Sequence, residues 1–135
     1  MFHFQKSITG VMDIDKLWTM YSDVCNWCRW DKNVKSVRLF GDFKVGSHGV
    51  MQMKEGLELP FRIEECTEKQ SFIVSSALGP INVTFGHSLK RTDKDITITH
   101  TITVTGDNEV QTNSIGGNLA AELPDSLESL FAVSV

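Results

Sequence analysis

Residues 96–104 read ITITHTITV, an alternation without a break. Side chains along a β-strand point to opposite faces with a period of two, so Ile96, Ile98, His100, Ile102 and Val104 share one face, and Thr97, Thr99, Thr101 and Thr103 the other. This pattern is that of a half-buried strand with its apolar side turned to a core. A histidine stands in the middle of the apolar row. What it does there depends on whether the core is solid or hollow.

The chain opens with a strand, FHFQKSIT at 2–9. In the DIDKLWTMYSD that follows, Asp13 is placed to cap a helix, and Ile14, Leu17, Trp18 and Tyr21 recur at helical spacing. Asp23 can cap a second, shorter turn through VCNWCRW, ending near Asp31. Strands and turns then run to residue 105, with VKSVRLF, SHGVMQMK, LELPFRIEEC, SFIVSSAL and INVTFGHSLKR preceding ITITHTITV. Pro60 lies inside its strand, which calls for an edge or a bulge. In the last segment the period changes: Ile115, Leu119, Leu123, Leu127 and Phe131 form the stripe of a long helix, and Asn108 with Gln111 is a candidate capping box. Gly116, Gly117 and Pro124 are poor helix residues, so this helix either starts late, near Asn118, or is kinked. Seven antiparallel strands, two short N-terminal helices and a terminal helix make a single α+β domain over 1–135, with the helix packed on one face of the sheet.

Seven strands about 4.8 Å apart make a sheet roughly 30 Å wide, which twists and curls. A helix with its side chains is only about 10 Å across. Unless large side chains plug the rest, a pocket survives between sheet and helix. Strand parity assigns Met51, Met53, Phe61, Phe85 and Ile98 to its lining, and the helix stripe adds Leu119 and Leu123. Trp18, Tyr21, Trp27 and Trp30 are concentrated near the N-terminal helices, either as packing at the sheet rim or as an aromatic mouth to the pocket.

If the loop between the last two strands is placed at 92–95, Arg91 pairs with Ile96 and His87 falls directly opposite His100. Two readings stand for this pair. Each ring is a core residue bonded to a neighbour, or the pair is a polar spot on an apolar wall that orients a ligand's oxygen or moves a proton. Burial and a like neighbour both lower histidine pKa values, so at least one ring should be neutral at pH 7 and able to act as a base.

Other chemistry is poorly represented. The net charge of −4 argues against nucleic acid or an anionic membrane as partner. No apolar run approaches the roughly 20 residues of a membrane span. The start MFHFQKSITG lacks the features of a signal peptide. Three cysteines suggest a reducing compartment, so the cytoplasm is expected. Cys25 and Cys28 have CxxC spacing but neither the strand-then-helix setting of a redox motif nor a second pair for zinc. Neither a metal nor a cofactor is expected, and a homodimer is left open.

The segment LWTMYSDVCNWCRWDKNVKSVRLFGDFKVGSHGVMQMKEG carries Trp18, Asp23, Trp27, Trp30 and Asp31, then Gly41, Gly46 and Gly49. In this it resembles the START-like (SRPBCC) superfamily, in its polyketide cyclase/dehydrase branch; THTITVTG and LPDSLESL fit as well. The family pattern has proline where Cys28 stands. The resemblance implies the helix-grip fold: a seven-stranded antiparallel sheet curled around a long C-terminal helix, with a hydrophobic pocket between them. It transfers no catalytic residue, because its members include lipid carriers, hormone receptors, co-chaperones and cyclases.

The leading expectation is a binding protein for a small hydrophobic molecule, aromatic or polyketide-like, with His87 and His100 as the polar marks of its cavity. The alternatives are a cyclase or dehydratase using those histidines as acid and base, and a co-chaperone-like interaction module.

Overall fold

The alternating stretches form seven antiparallel strands: β1 (Phe2–Gly10), β2 (Val34–Phe40), β3 (His48–Met53), β4 (Glu58–Thr67), β5 (Ser71–Leu78), β6 (Ile81–Thr92) and β7 (Asp95–Thr105). The computed structural model describes every residue, 1–135. Sheet order is β1-β7-β6-β5-β4-β3-β2, so the last strand closes against the first and β1 and β2 are the edges. The β6–β7 hairpin has the expected register, with Arg91 opposite Ile96 and His87 opposite His100. Pro60 needs neither the outer edge nor the β4 bulge, which falls between Ile63 and Glu65. It pairs with Val50 of β3, and β5 joins β4 only from Arg62 onward, so this end of β4 is locally an edge.

Between β1 and β2 lie α1 (Ile14–Ser22), a 3-10 turn (Val24–Asn26) and the single turn α2 (Trp27–Trp30). Asp13 caps α1, its carboxylate accepting from the N–H groups of Asp15 and Lys16. Asp23 caps the next turn by accepting from Cys25 N–H. The terminal helix is α3 (Glu109–Ala121) followed by α4 (Leu123–Val133). It does not start late. Asn108 accepts from Gln111 N–H at 3.0 Å and nucleates α3 at once. The break comes at Glu122, where Pro124 has no N–H to give the preceding turn.

The helix buries Leu123 and Leu127 of the stripe its spacing predicts, and adds small residues that the spacing does not mark. Thr112, Gly116 and Ala120 of α3 and Leu123, Ser126, Leu127 and Leu130 of α4 face inward, while Ile115, Leu119 and Phe131 are half-buried. Small residues let the helix settle close to the sheet. A Cβ on Gly116 would run into the ring of Phe2, and one on Gly10 into the ring of Phe131. No helix is long and apolar enough to cross a membrane.

Candidate functional site

The N-terminal helices supply the aromatic side chains that fill most of the trough. The carbonyls of the last turn of α1 have no partners within the helix, and two indoles take them. Trp27 Nε1 donates to Tyr21 O at 2.8 Å, and Trp30 Nε1 donates to Met20 O at 3.1 Å. These bonds turn both tryptophans under the sheet. Tyr21 meets Phe72 edge-on at 4.9 Å between centroids, and Trp27 stacks on Phe72 at 6.1 Å. Trp18 lies against Tyr21 and Phe43.

The expected wide hollow is therefore largely closed, because these rings and a closely seated helix occupy it. Two adjoining pockets of about 30 Å³ each remain, both bordered by Trp30, Asp31, Asn33, Phe85, His87 and Leu119. A third, of about 40 Å³, continues from them along α3 to the turn after β3 and shares Asn33, Met53 and Leu119 with the first. Each is room for a water or two.

His87 and His100 meet in this space, their centroids 4.7 Å apart and their planes at 76°. Tyr21 is fully buried, and burial raises its phenol well above the ordinary value, so it keeps its proton. Its hydroxyl lies 2.7 Å from His100 Nε2, its one partner. The phenol therefore donates, Nε2 accepts, and a neutral His100 carries its proton on Nδ1. His87 is fixed the other way. Its Nδ1 donates to Phe72 O at 3.3 Å, because a carbonyl can only accept, and this leaves a lone pair on Nε2.

Neither His87 Nε2 nor His100 Nδ1 has a protein partner, yet neither is shut off from the pockets that the rings line. Burial holds His87 down to about 3, with the Phe72 carbonyl acting weakly the other way. Burial, helped by the neighbouring His87, holds His100 well below its ordinary value. His87 is half-buried because part of its ring borders the cavity. At neutral pH the pair thus offers one acceptor and one N–H donor to the same small space.

Asp31 is the third titratable group there, and sequence reasoning did not select it as a site residue. It closes α2, and its carboxylate accepts from Asn33 N–H at 3.0 Å. Burial pushes it up to about 6, while the Asn33 hydrogen bond and the Lys54 charge pull it down. The available signal was its place in the tryptophan–aspartate pattern, immediately after Trp30. Asn33 Nδ2 donates to Leu119 O at 3.3 Å and ties this corner to the end of α3.

Of the predicted lining, Met51, Met53, Phe85, Leu119, Leu123, Trp27 and Trp30 border the two central pockets beside the histidines. Phe61, Ile98, Trp18 and Tyr21 border neither; they are buried in the surrounding core. The aromatic group is a plug rather than an open mouth, since Trp18, Tyr21, Trp27 and Trp30 are all at most 7% exposed. Cys25 and Cys28 lie exposed, outside this space. No group of three or more His, Cys, Asp or Glu side chains is arranged to hold a metal.

No family model matches the sequence, and no curated protein matches it. Solved structures match closely in shape. Protein jhp0584 of Helicobacter pylori superimposes with a TM-score of 0.80 at 14% identity, over 99% of this chain and 88% of that one. XoxI of Bacillus cereus does so with 0.79 at 16%, over 99% and 96%. The chain has the helix-grip fold, a seven-stranded antiparallel sheet with a long bent C-terminal helix. The same helix-grip architecture occurs in the di-domain ARO/CYC BexL from the BE-7585A biosynthetic pathway, with a TM-score of 0.75 at 12% identity, over 98% of this chain and 46% of that one. Identities this low speak for the helix-grip fold and not for a shared activity.

Proposed function

We propose that this chain binds a small, flat, largely apolar molecule bearing a carbonyl or phenolic oxygen, in the space between the sheet and the C-terminal helix. One observation carries the reading: His87 Nε2 and His100 Nδ1 have no protein partner, and both rings border one small space that continues beside His87 into a mainly apolar one. A core built only for stability would bond these nitrogens or replace the rings with hydrocarbon. The oxygen accepts from His100 Nδ1–H, a hydroxyl donates to His87 Nε2, and the rest of the molecule packs on Phe85, Met51 and Leu119. Ligand pockets commonly measure about 300–1,000 Å³, so entry requires side chains to move. Leu119 is the first candidate, being half-buried and bordering all three pockets. Native mass spectrometry of the freshly purified protein, with titration of tryptophan fluorescence by anthraquinones and naphthols, tests the reading. Saturable quenching that His87→Gln weakens supports it. No binding by any member of the series removes it.

A second reading is favoured by Asp31. A general base works best with a pKa near the operating pH, and this carboxylate at about 6 lies closer to that range than either histidine. A proton on carbon next to a carbonyl would pass to Asp31 or to His87 Nε2. The electron pair of that C–H bond would move to the carbonyl oxygen, held by His100 Nδ1–H, and the proton would return at a later carbon or oxygen. Exchange of ligand C–H for deuterium in D₂O separates enzyme from carrier. A wild-type protein that binds without catalysing exchange is a carrier; exchange lost in both Asp31→Asn and His87→Gln, with binding retained, identifies the enzyme.

A further inference from the structure

Ser76 stands in the middle of β5 with 2% of its surface exposed, and its hydroxyl has no hydrogen-bond partner. A buried polar group in that condition is destabilising, and an alanine or valine would fit the apolar row without the loss. The row locates it. On β5 the buried residues are Phe72, Val74 and Ser76; Phe72 lies opposite His87 and Ser76 opposite Val83. Val74 borders the central pocket, while Val83 and Leu78 border the pocket that runs out along α3. Ser76 therefore lies in the inward-facing row between the residues that border these two spaces; in the closed state it borders neither, and its hydroxyl is covered.

We propose that Ser76 is a second polar anchor for the ligand, at the end away from the histidines, its hydroxyl uncovered when side chains move to admit the molecule. The inference rests on the binding function proposed above and narrows its ligand class. His87 and Val83 are four residues apart on β6, and at about 3.3 Å per residue this is roughly 13 Å along the strand. The ligand is an elongated, flat aromatic molecule, such as a linear three-ring system, with one oxygen at each end. One oxygen meets the imidazoles and the other meets the Ser76 hydroxyl. Between them the molecule lies over Val74 and beneath Leu119.

The test compares anthraflavic acid, an anthraquinone with a hydroxyl at each end, with the analogue that has one terminal hydroxyl. Wild type should prefer the two-ended probe by about five- to tenfold, the worth of one buried hydrogen bond. Ser76→Ala should abolish that preference by weakening the two-ended probe alone, whereas His87→Gln should weaken both. Equal affinity of wild type for the two probes, or equal weakening of both by Ser76→Ala, overturns the anchor and leaves the binding function standing. Failure of wild type to bind either probe counts against the binding function itself and the anchor falls with it. In the free protein Ser76→Ala should leave Tm unchanged or higher. A clear fall would mean that the hydroxyl is bonded within the fold, which also overturns the anchor.

Discussion

Tyr21→Phe isolates the link between the N-terminal helix and the histidines. The change removes one oxygen from a side chain that is fully buried, and leaves the ring contacts with Phe72 and Trp30 in place. Two losses add. The hydrogen bond to His100 Nε2 contributes about 1 kcal/mol net, and stranding a buried acceptor costs about 1–3 kcal/mol. A loss of about 2 kcal/mol is expected, since His100 can recover part of the cost by changing tautomer. For 135 residues the unfolding entropy near 60 °C is about 0.28 kcal/mol/K, so Tm should fall by about 7 °C. Urea unfolding gives the free energy, and ¹⁵N NMR of the imidazoles gives the tautomer. Wild-type His100 should carry its proton on Nδ1, and the phenylalanine variant should show exchange toward Nε2–H. A wild-type His100 already protonated on Nε2, or a variant as stable as wild type, would refute the donor assignment and with it the free N–H in the cavity.

Other expectations follow from the same packing. Between about pH 6.5 and 3 the unfolded chain binds a proton that buried His87 refuses, so its stabilisation is complete above pH 6.5 and lost as the pH falls toward 3; His100, held well below its ordinary value, acts in the same sense. Asp31 acts in the opposite sense between pH 3.8 and 6, because its folded form keeps a proton that the unfolded form has released. Two protons against one leave a net decline on acidification, which urea midpoints should record and His87→Gln should flatten. Gly116→Ala should destabilise by about 1–3 kcal/mol through overpacking on Phe2. Gly117→Ala, next to it and facing open space, should stabilise by about 1 kcal/mol; thermal unfolding of the pair checks both. In the native protein the thiol reagent DTNB should react quickly with exposed Cys25 and Cys28 and slowly with Cys66, whose thiol is raised by burial and by Glu68. Leu119→Ala should enlarge the cavity at its border with α3 and speed the association of an aromatic probe, read by stopped-flow fluorescence.

Strand parity was legible because the pleat has a strict period and one face is buried: β7 alternates as written, and Met51, Met53 and Phe61 all turn inward. The His87–His100 register follows from a turn at 92–95; in the structure Thr92 still pairs with Asp95, and Asp93, in the two residues between, takes the left-handed φ of 44°. The helix face is only partly marked by the spacing of large residues: Leu123 and Leu127 are buried and Ile115, Leu119 and Phe131 half-buried, while the closest contact with the sheet lies beside them. Gly116 and Ala120 make that contact by being small, and close approach leaves no signal in hydrophobic periodicity. The hollow was overestimated for a related reason. Widths of sheet and helix say nothing of the volume that Trp18, Tyr21, Trp27 and Trp30 bring in from one short segment. Asp31 closes the tryptophan–aspartate pattern, but its place beside Phe85, His87 and Leu119 comes from elements distant in sequence, which that pattern does not encode.

The closed state changes what the imidazoles can do, and in a direction that favours a site. A wide water-filled trough would solvate both rings and let their pKa values return toward the ordinary range, leaving them partly charged at neutral pH. Packed under Trp30 and Phe72, the rings stay neutral, and their fixed bonds to Tyr21 and Phe72 set which nitrogen donates and which accepts. A ligand then meets a preset polar pattern and little water to displace, so its gain comes from matching that pattern and not from neutralising charge. Opening the cavity has a cost that falls on every ligand alike, and affinity is reduced by the fraction of molecules that are open. Selectivity is untouched by that factor. In the binding function proposed above it rests on the two free nitrogens and the Ser76 hydroxyl, so a protein closed at rest would remain selective while binding weakly.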